Sequence, residues 1–348
     1  MLLKSIFTNS SGILVSRVLG FIRDLMTASV LGANIYSDIF FVAFKLPNLF
    51  RSIFADGAFT QAFIPSYAKS KHKIRFSSII FLQLFGFLIV LSLLVMAFSH
   101  LVAKAIAIGF DEKSLDLAAP LFAINFYYLP MIFVVTFMGA LLQYKKHFAT
   151  SAYSTALLNL AMIGSLLIAQ NMEKYDITFY LSYGVLVGGF LQILVHLYEN
   201  YGFDCLKYLH GEFAFVLYDF EKEQWFCARD RMGIRPLQFF FKEDIFLIAS
   251  EAKSLLEFNV IEKKFDQESF WFSQHLQYLP LDKTLFKNIE MIKPAHFLLL
   301  KKGEKPQQHE YWSIKNIEKK NISFNEAKEK AIYLINESVK KRIPDEVK

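Results

Sequence analysis

The sequence is poor in cysteine, and none of it lies before residue 205. Only two of the 348 residues are cysteine, Cys205 and Cys227, and neither belongs to a CxxC pair or a His-rich metal-binding spacing. A disulfide framework and a zinc site are therefore not expected, and a reducing, cytoplasmic setting suits this part of the chain. We accordingly predict no metal ligands.

Charge is also scarce, but in one half only. Residues 1–199 contain 14 of the 38 Lys and Arg and 9 of the 32 Asp and Glu. The density of charged residues therefore rises almost threefold in residues 200–348. Four runs lack any charged residue: 77–103, 117–144, 148–172 and 177–198. A helix of about 20 apolar residues crosses a bilayer core, so each run is long enough to span a membrane. Membrane lipid, and not nucleic acid, is the expected partner of the basic loops.

Two earlier segments, 11–32 and 37–57, are apolar but carry charges. Charges at membrane depth are costly and usually face a bundle interior or an aqueous cavity. We count these segments as the first two of six predicted spans. Lys and Arg cluster before the first span and in the loops at 66–75 and 145–146, whereas the alternate loops are nearly neutral. The positive-inside rule then places the N-terminus and residue 198 in the cytoplasm.

Three segments of this half carry a family resemblance: SRVLGFIRD at 16–24, SDIFFVAFKLPNLFRSIFADGAFTQAFIP at 37–65 and LLNLAMIG at 157–164. They resemble the MviN/MurJ-type lipid II flippases of bacteria. The resemblance covers residues 1–198 and implies an all-α polytopic membrane bundle, half of the fourteen-helix fold of the multidrug/oligosaccharidyl-lipid/polysaccharide (MOP) exporters. In that family a cationic cavity between two lobes moves the undecaprenyl-diphosphate-linked peptidoglycan precursor outward across the inner membrane. One lobe alone is not expected to transport, because alternating access needs two bodies that move about a shared site.

The resemblance assigns lipid-diphosphate binding to Arg17, Arg23 and Arg51, with Asp38 as an acidic partner. Guanidinium groups suit this role because they bind phosphate oxygens through two parallel hydrogen bonds. Arg17 and Arg23 are six residues apart, which is about 240° around a helix, so they need not share one face. The alternative is that Arg23–Asp24 and Asp38–Arg51 are structural ion pairs near the membrane interface.

The last span contains a GxxxG pattern, formed by Gly184 and Gly188. Small residues at this spacing let two helices approach closely. One short match is equally compatible with two glycines that face lipid.

After residue 201 the sequence changes to short alternating runs that are typical of strands. GEFAFVLYD and QWFCARD, separated by FEKE, predict a β-hairpin, and MGIRPLQFFF, IFLIAS and AHFLLLKK predict further strands. SEAKSLLEF predicts a short helix, and residues 323–342 predict a longer one that opens with the capping-box pattern Ser323-x-x-Glu326. This half is therefore predicted to be α+β and rich in antiparallel strands.

Three segments of this half carry a second resemblance: YGFDCLKYLHGEFAFVLYD, ARDRMGIRPLQFFF and IASEAKSLLEF. They resemble the class II glutamine amidotransferase domain of glutamine-dependent asparagine synthetases, over about residues 193–348. The family implies an N-terminal-nucleophile αββα sandwich, in which an N-terminal cysteine releases ammonia from glutamine, followed by a domain that uses ATP and Mg²⁺. We divide the chain into a six-span membrane lobe at 1–198, a truncated amidotransferase-like domain at 199–313 and a linker helix at 314–348.

The catalytic residues of the second family do not carry over, so no activity is expected of this half. The nucleophile must be the first residue after Met removal, so that its α-amine acts as base, and position 2 is Leu2. The family's glutamine-binding Asp falls on Phe190, and the sequence stops at IPDEVK, where the ATP loop would follow, so no cofactor is expected. Cys205 and Cys227 are expected to be ordinary buried residues. The charged residues of the matched part are expected to satisfy backbone groups at turns and one another: Arg229, Asp230, Arg231, Arg235 and Glu251.

The run QILVHLYEN at 192–200 fits both resemblances, as the end of the sixth span and as the helix that leads into YGFDCL. We therefore predict a chimaera of two unrelated proteins, joined by recombination or by a misjoined genome assembly. Three functions stay open. The chain is a membrane carrier lobe of the bacterial inner membrane, a glutamine-hydrolysing asparagine synthetase type of enzyme, or a remnant without activity, and the remnant is favoured.

Overall fold

The computed structural model describes residues 2–55, 58–145, 147, 149–280, 282–316, 321–340 and 342–343. The side chains of residues 2–9, 51–55, 58 and 149 lie outside this description. The described residues form two compact units, Met1–Tyr208 and Leu209–Lys348, and each is described by itself.

The described part of the first unit is helical, so its backbone polar groups are paired within helices, as a chain in hydrocarbon requires. The helices are α1 (Leu2–Val30), α2 (Ile35–Ala55), α3 (Ala58–Lys69), α4 (Lys73–Ala97), α5 (Ser99–Ile106), α6 (Glu112–Phe126), α7 (Tyr128–Tyr144), α8 (Ala149–Ala169) and α9 (Lys174–Tyr201). A 3₁₀ helix at Gly202–Lys207 follows α9.

Four helical segments are long and apolar enough to cross a membrane: Lys73–Ala97, Glu112–Tyr144, Thr150–Ala169 and Lys174–Lys207. They correspond to the four uncharged runs of the sequence, which confirms a membrane-type helical part. α1 and α2 are also long enough, but both carry charges, and the predicted total of six spans stays a prediction.

The loop predicted at residues 66–75 is wrong in part, because α3 continues to Lys69 and α4 already begins at Lys73. α3 forms because Phe59, Phe63 and Tyr67 recur every four residues and stack along one side of the helix. Two of these rings also contact α7, where Phe59 meets Phe133 edge-on and Phe63 packs against Phe137. The basic segment is therefore the end of one helix, a short turn and the start of the next.

The GxxxG pattern lies where α9 packs against α8. A Cβ added to Gly188 would lie 2.8 Å from Leu158 Cα, and one added to Gly184 would overlap Ser165 Oγ. Close helix packing is thus confirmed over the lipid-facing alternative.

The second unit consists of short strands and helices. They are β1 (Ala214–Asp219), β2 (Gln224–Arg229), β3 (Gln238–Lys242), β4 (Ile245–Ala249), β5 (Ile289–Met291), β6 (His296–Lys301) and β7 (Gln307–Glu310), with α10 (Ala252–Leu255), α11 (Gln267–Leu276) and α12 (Phe324–Lys340). The strands form two antiparallel sheets, in the orders β1-β2-β6-β7 and β4-β3-β5. The hairpin, the other predicted strands and both predicted helices are present, whereas β5, β7 and α11 were not predicted.

Side chains of both sheets meet in one core. Its buried members are Cys227, Leu237, Phe239, Ile292, Leu298 and Leu300. An α+β unit is therefore confirmed, while the four-layer sandwich stays a prediction.

Candidate functional site

One side of α1 packs on α8 and the other side is exposed. A Cβ added to Gly12 would lie 2.9 Å from Ala152 Cβ, and one added to Gly20 would lie 3.5 Å from Asn159 Nδ2, so these glycines mark the packed side. Arg23 lies on that side, with 22% of its side chain exposed, whereas Arg17 lies on the exposed side. The two arginines therefore have different surroundings, as their spacing of about 240° around the helix allows.

The Arg23 guanidinium is held by two residues. Its Nε and Nη2 donate to Asp24 Oδ1 at 3.0 and 2.7 Å, and its Nη1 donates to Asn159 Oδ1 at 2.9 Å. Asn159 is fixed in turn, because its Nδ2 donates to the carbonyl oxygen of Ser16 at 2.9 Å. The Arg23–Asp24 ion pair, which we predicted as the alternative, is present, and the hydrogen bond to Asn159 ties it to α8.

Asn159 was not among the predicted site residues. It is nearly buried and lies within LLNLAMIG, a segment that carries the family resemblance. The signal that points to it is an amide side chain in a long uncharged run, because a buried polar group needs a hydrogen-bond partner.

Arg17 has a different environment, since it has no hydrogen-bond or ion-pair partner among the side chains that the structure describes. Its neighbours on the exposed side of α1 are apolar and include Leu14, Val18 and Phe21. An arginine on a membrane-length helix normally faces a bundle interior or a water-filled cavity and binds an anion or backbone carbonyls there. Its five N–H donors have no described partner, so Arg17 is the most available guanidinium of the described part of α1.

α2 exposes Asp38 and Lys45, which are seven residues apart and therefore lie on one side of the helix. Asp38 is in the first turn, where a negative charge stabilises the helix. Lys45 was not predicted as a site residue, and its spacing from Asp38 is the signal for it. Arg51 belongs to α2 by its backbone, but its side chain lies outside the described residues, and its predicted pairing with Asp38 is untested.

Asp230, in the second unit, organises the turn after β2. It is 1% exposed, and its Oδ1 accepts from the backbone N–H of Met232 and Ile234, both at 3.1 Å. Its Oδ2 accepts from the backbone N–H of Arg235 at 3.0 Å. Asp230 thus satisfies three backbone groups of the turn, as predicted for it, and its lack of a catalytic role stays a prediction.

Arg229 holds the same turn from the other side. Its Nε, Nη1 and Nη2 donate to the carbonyl oxygens of Arg235, Ile292 and Gly233, at 2.9, 2.7 and 2.5 Å. Burial lowers the pKa of Arg229, and neighbouring Asp230 opposes this shift. Gly233 adopts φ +65°, a left-handed conformation that favours glycine.

Both cysteines are buried, as predicted. Burial in the core shared by the two sheets raises the pKa of the Cys227 thiol to about 12, so little thiolate forms near neutral pH. Within the described ranges, no group of three or more His, Cys, Asp or Glu side chains is placed to hold a metal ion.

Two family models match the chain. The model of the lipid II flippase MurJ matches residues 27–222, and the model of the glutamine amidotransferase domain matches residues 191–312. The two matches overlap at 191–222, which includes the run that fits both resemblances.

Curated relatives match the first part of the chain. A probable lipid II flippase MurJ of Helicobacter pylori (strain ATCC 700392 / 26695) is 47% identical over 220 residues, which cover 63% of this chain and 47% of that protein. The corresponding protein of Helicobacter pylori (strain J99 / ATCC 700824) is 54% identical over 171 residues, 49% of this chain and 37% of its own length. One of Rhizobium tropici is 37% identical over 205 residues, 56% of this chain and 38% of its own length. The chain thus spans less than half the length of these relatives.

A solved structure is also similar. It is the lipid II flippase MurJ in an inward closed conformation, with a TM-score of 0.49 and 23% sequence identity. The match covers 54% of this chain and 41% of that one.

Proposed function

We propose, because the chain belongs to the MurJ lipid II flippase family, that its first unit binds the diphosphate of a polyprenyl-linked peptidoglycan precursor in the bacterial inner membrane. One observation carries the proposal: Arg17 presents a guanidinium without a described partner on the exposed side of a membrane-length helix. A diphosphate is the complementary group, because its oxygens accept pairs of parallel hydrogen bonds from guanidinium.

The other predicted residues have supporting roles in this proposal. Arg23 contributes positive charge while Asp24 and Asn159 fix its orientation. Asp38 lies on the exposed side of α2, where Lys45 adds a cation to the predicted site. Arg51 is included by family resemblance alone.

We also propose six membrane crossings, with α1 and α2 as the first two and both ends of the lobe in the cytoplasm. Basic residues at Lys69, Lys71, Lys73 and Arg75 on one side, and the nearly neutral turn at residues 31–34 on the other, support this orientation. Translocation of the lipid would require a second lobe that moves against this one.

Arg17→Ala tests the binding proposal. Undecaprenyl diphosphate is titrated into the full chain in detergent, and binding is followed by native mass spectrometry. A charge-assisted hydrogen bond is worth about 1.5–3 kcal/mol, so the affinity is expected to fall roughly tenfold or more. Arg75→Ala, which removes an exposed arginine near the start of α4, is the matched control and should leave the affinity unchanged. Equal affinities of the two variants would refute the role of Arg17.

We propose that the second unit is an amidotransferase-type fold without glutaminase activity, derived from an asparagine synthetase. Burial of both cysteines supports this, because a nucleophilic thiol must be accessible and readily ionised. The alternative, a glutamine-hydrolysing enzyme, is favoured by the family match at residues 191–312. Ammonia release from glutamine by the purified chain distinguishes the two, and we expect none above a heat-denatured sample.

The overlap of the two family matches at 191–222 supports a fusion of two coding sequences within or just after α9. A single long read of genomic DNA across the codons for residues 188–211 tests it. An uninterrupted reading frame is expected. Two separate loci, each continuing into its own gene, would show that the joined chain is an artefact.

A further inference from the structure

A polar pocket of about 70 Å³ lies within the first unit, among helices α3, α7, α8 and α9. Its lining includes Thr136 and Gly139 of α7, Ser151 of α8 and His196 of α9. This location is unusual for polar groups, because three of these helices lie in segments long and apolar enough to span a membrane.

Two buried side-chain atoms at the pocket have no hydrogen-bond partner among the described residues, His196 Nε2 and Ser151 Oγ. His196 has no exposed surface, and its Nδ1 lies 2.8 Å from the carbonyl oxygen of Gln192. A carbonyl only accepts, so Nδ1 carries the proton, and Nε2 presents a bare lone pair. Both orphan atoms point toward Gly139, since a Cβ added there would lie 2.9 Å from Ser151 Oγ and 3.5 Å from His196 Nε2.

Three other hydroxyl groups of the lining donate their protons to backbone carbonyl oxygens. Thr136 donates to the carbonyl oxygen of Ile132 at 2.8 Å, and Ser154 and Thr155 each donate at 3.1 Å to a carbonyl oxygen three residues earlier in the chain. Each hydroxyl retains only acceptor lone pairs. His196 Nε2 can only accept, so the pocket needs a guest that donates a hydrogen bond to this atom.

A cation is a poor candidate for this guest, because no acidic side chain is among the described residues that line the pocket, and a buried charge without a counter-charge is strongly disfavoured. Water is neutral and donates two hydrogen bonds. One water needs roughly 10–15 Å³ of such space, so several fit. We propose that the pocket is a water-binding site, in which bound water donates to His196 Nε2 and bonds to Ser151 Oγ, and so hydrates the contact between α7, α8 and α9.

Hydroxyl-radical footprinting of the full chain in lipid nanodiscs tests this proposal, because radiolysis of bound water oxidises the side chains next to it. His196 should be oxidised several-fold faster than Phe122, an equally buried aromatic residue of α6, after each rate is normalised to that of the unfolded chain. Equal, low rates at the two positions would overturn the proposal.

Gly139→Ala provides a second readout, because its methyl group would occupy the space between the two orphan atoms. It should lower the oxidation rate of His196 toward that of Phe122. Gly164→Ala is the matched control, since a Cβ there would meet no atom within 4 Å, and it should leave the rate unchanged. An unchanged His196 rate in folded Gly139→Ala would contradict the water site.

Ser151→Ala keeps the test decisive if Gly139→Ala does not fold. Removal of a hydroxyl that is bonded to water should lower the melting temperature of the first unit, whereas removal of an unsatisfied hydroxyl should raise it. A rise would show that the pocket is dry.

Discussion

The Cys227 thiol lies in the core shared by the two sheets of the second unit, where burial raises its pKa from 9.0 to about 12. The folded chain therefore binds this proton more tightly than the unfolded chain. Well below pH 9 the thiol is protonated in both states and contributes nothing to pH dependence. Above pH 9 only the unfolded state loses the proton, so stability falls as pH rises toward 12.

We predict that the second unit loses at most about 1.4 kcal/mol of stability per pH unit between pH 9.5 and 11.5 through this thiol alone, with the steepest loss near the middle of this range. Urea unfolding followed by tryptophan fluorescence measures it, because Trp225, Trp271 and Trp312 all belong to this unit. Cys227→Ala should remove this part of the slope. An identical slope in the variant would show that the thiol ionises normally in the folded state.

Asp230→Asn should destabilise the second unit, because three backbone N–H groups would lose a charged acceptor in a buried turn. Hydrogen bonds to charged groups are worth about 1.5–3 kcal/mol, so the urea midpoint is expected to fall by roughly 1 M. Asp244→Asn, at an exposed turn, is the control and should shift the midpoint little. Equal shifts would mean that the Asp230 charge does not hold the turn.

At the scale of the elements, the contact of α8 with α9 depends on Gly188, which allows close approach to Leu158. Gly188→Ala should overpack this contact and cost about 1–3 kcal/mol. The measurement is thermal unfolding in detergent, followed by a signal from the helical unit, with Gly164→Ala as a matched substitution in α8. Similar melting temperatures for Gly188→Ala and Gly164→Ala would show that Gly188 is not needed for close packing of α8 and α9.

The elements that sequence alone predicts are those with a strong local signal. The uncharged runs predict the membrane-type helices, and alternation predicts the β1–β2 hairpin, whose pairing from Ala214–Arg229 to Asp219–Gln224 is regular. α3 was missed because its apolar face is short and is stabilised by rings of α7. Phe59, Phe63 and Tyr67 do recur at helical spacing, but three residues are a weak signal, and the contacts with α7 are not visible in the local sequence.

The candidate site was predictable in residue type but not in environment. Arg17 and Arg23 belong to the same predicted span, and the sequence offers Asp24 as a partner of Arg23, but the contact of Arg23 with Asn159 is visible only in the structure. That distinction depends on which side of α1 packs on α8, a long-range contact that single-sequence periodicity does not define.

For the full chain, we propose a multi-pass membrane lobe whose basic loops, together with the second unit, face the cytoplasm. Cys205→Ala and Cys227→Ala give a chain without thiols, and each removes a single buried sulfur atom. Single cysteines are then introduced by four separate substitutions at exposed positions: Ala33→Cys, His72→Cys, Ile108→Cys and Glu243→Cys.

The most direct test is labelling of these four variants in intact spheroplasts with a membrane-impermeant maleimide. Cysteines at positions 33 and 108 should react from outside, and those at 72 and 243 only after the membrane is permeabilised. Reaction at position 108 but not at position 33 would show that α1 and α2 do not cross the membrane. Reaction at 243 in intact spheroplasts, or equal reaction at all four positions, would contradict the proposed membrane lobe and its orientation.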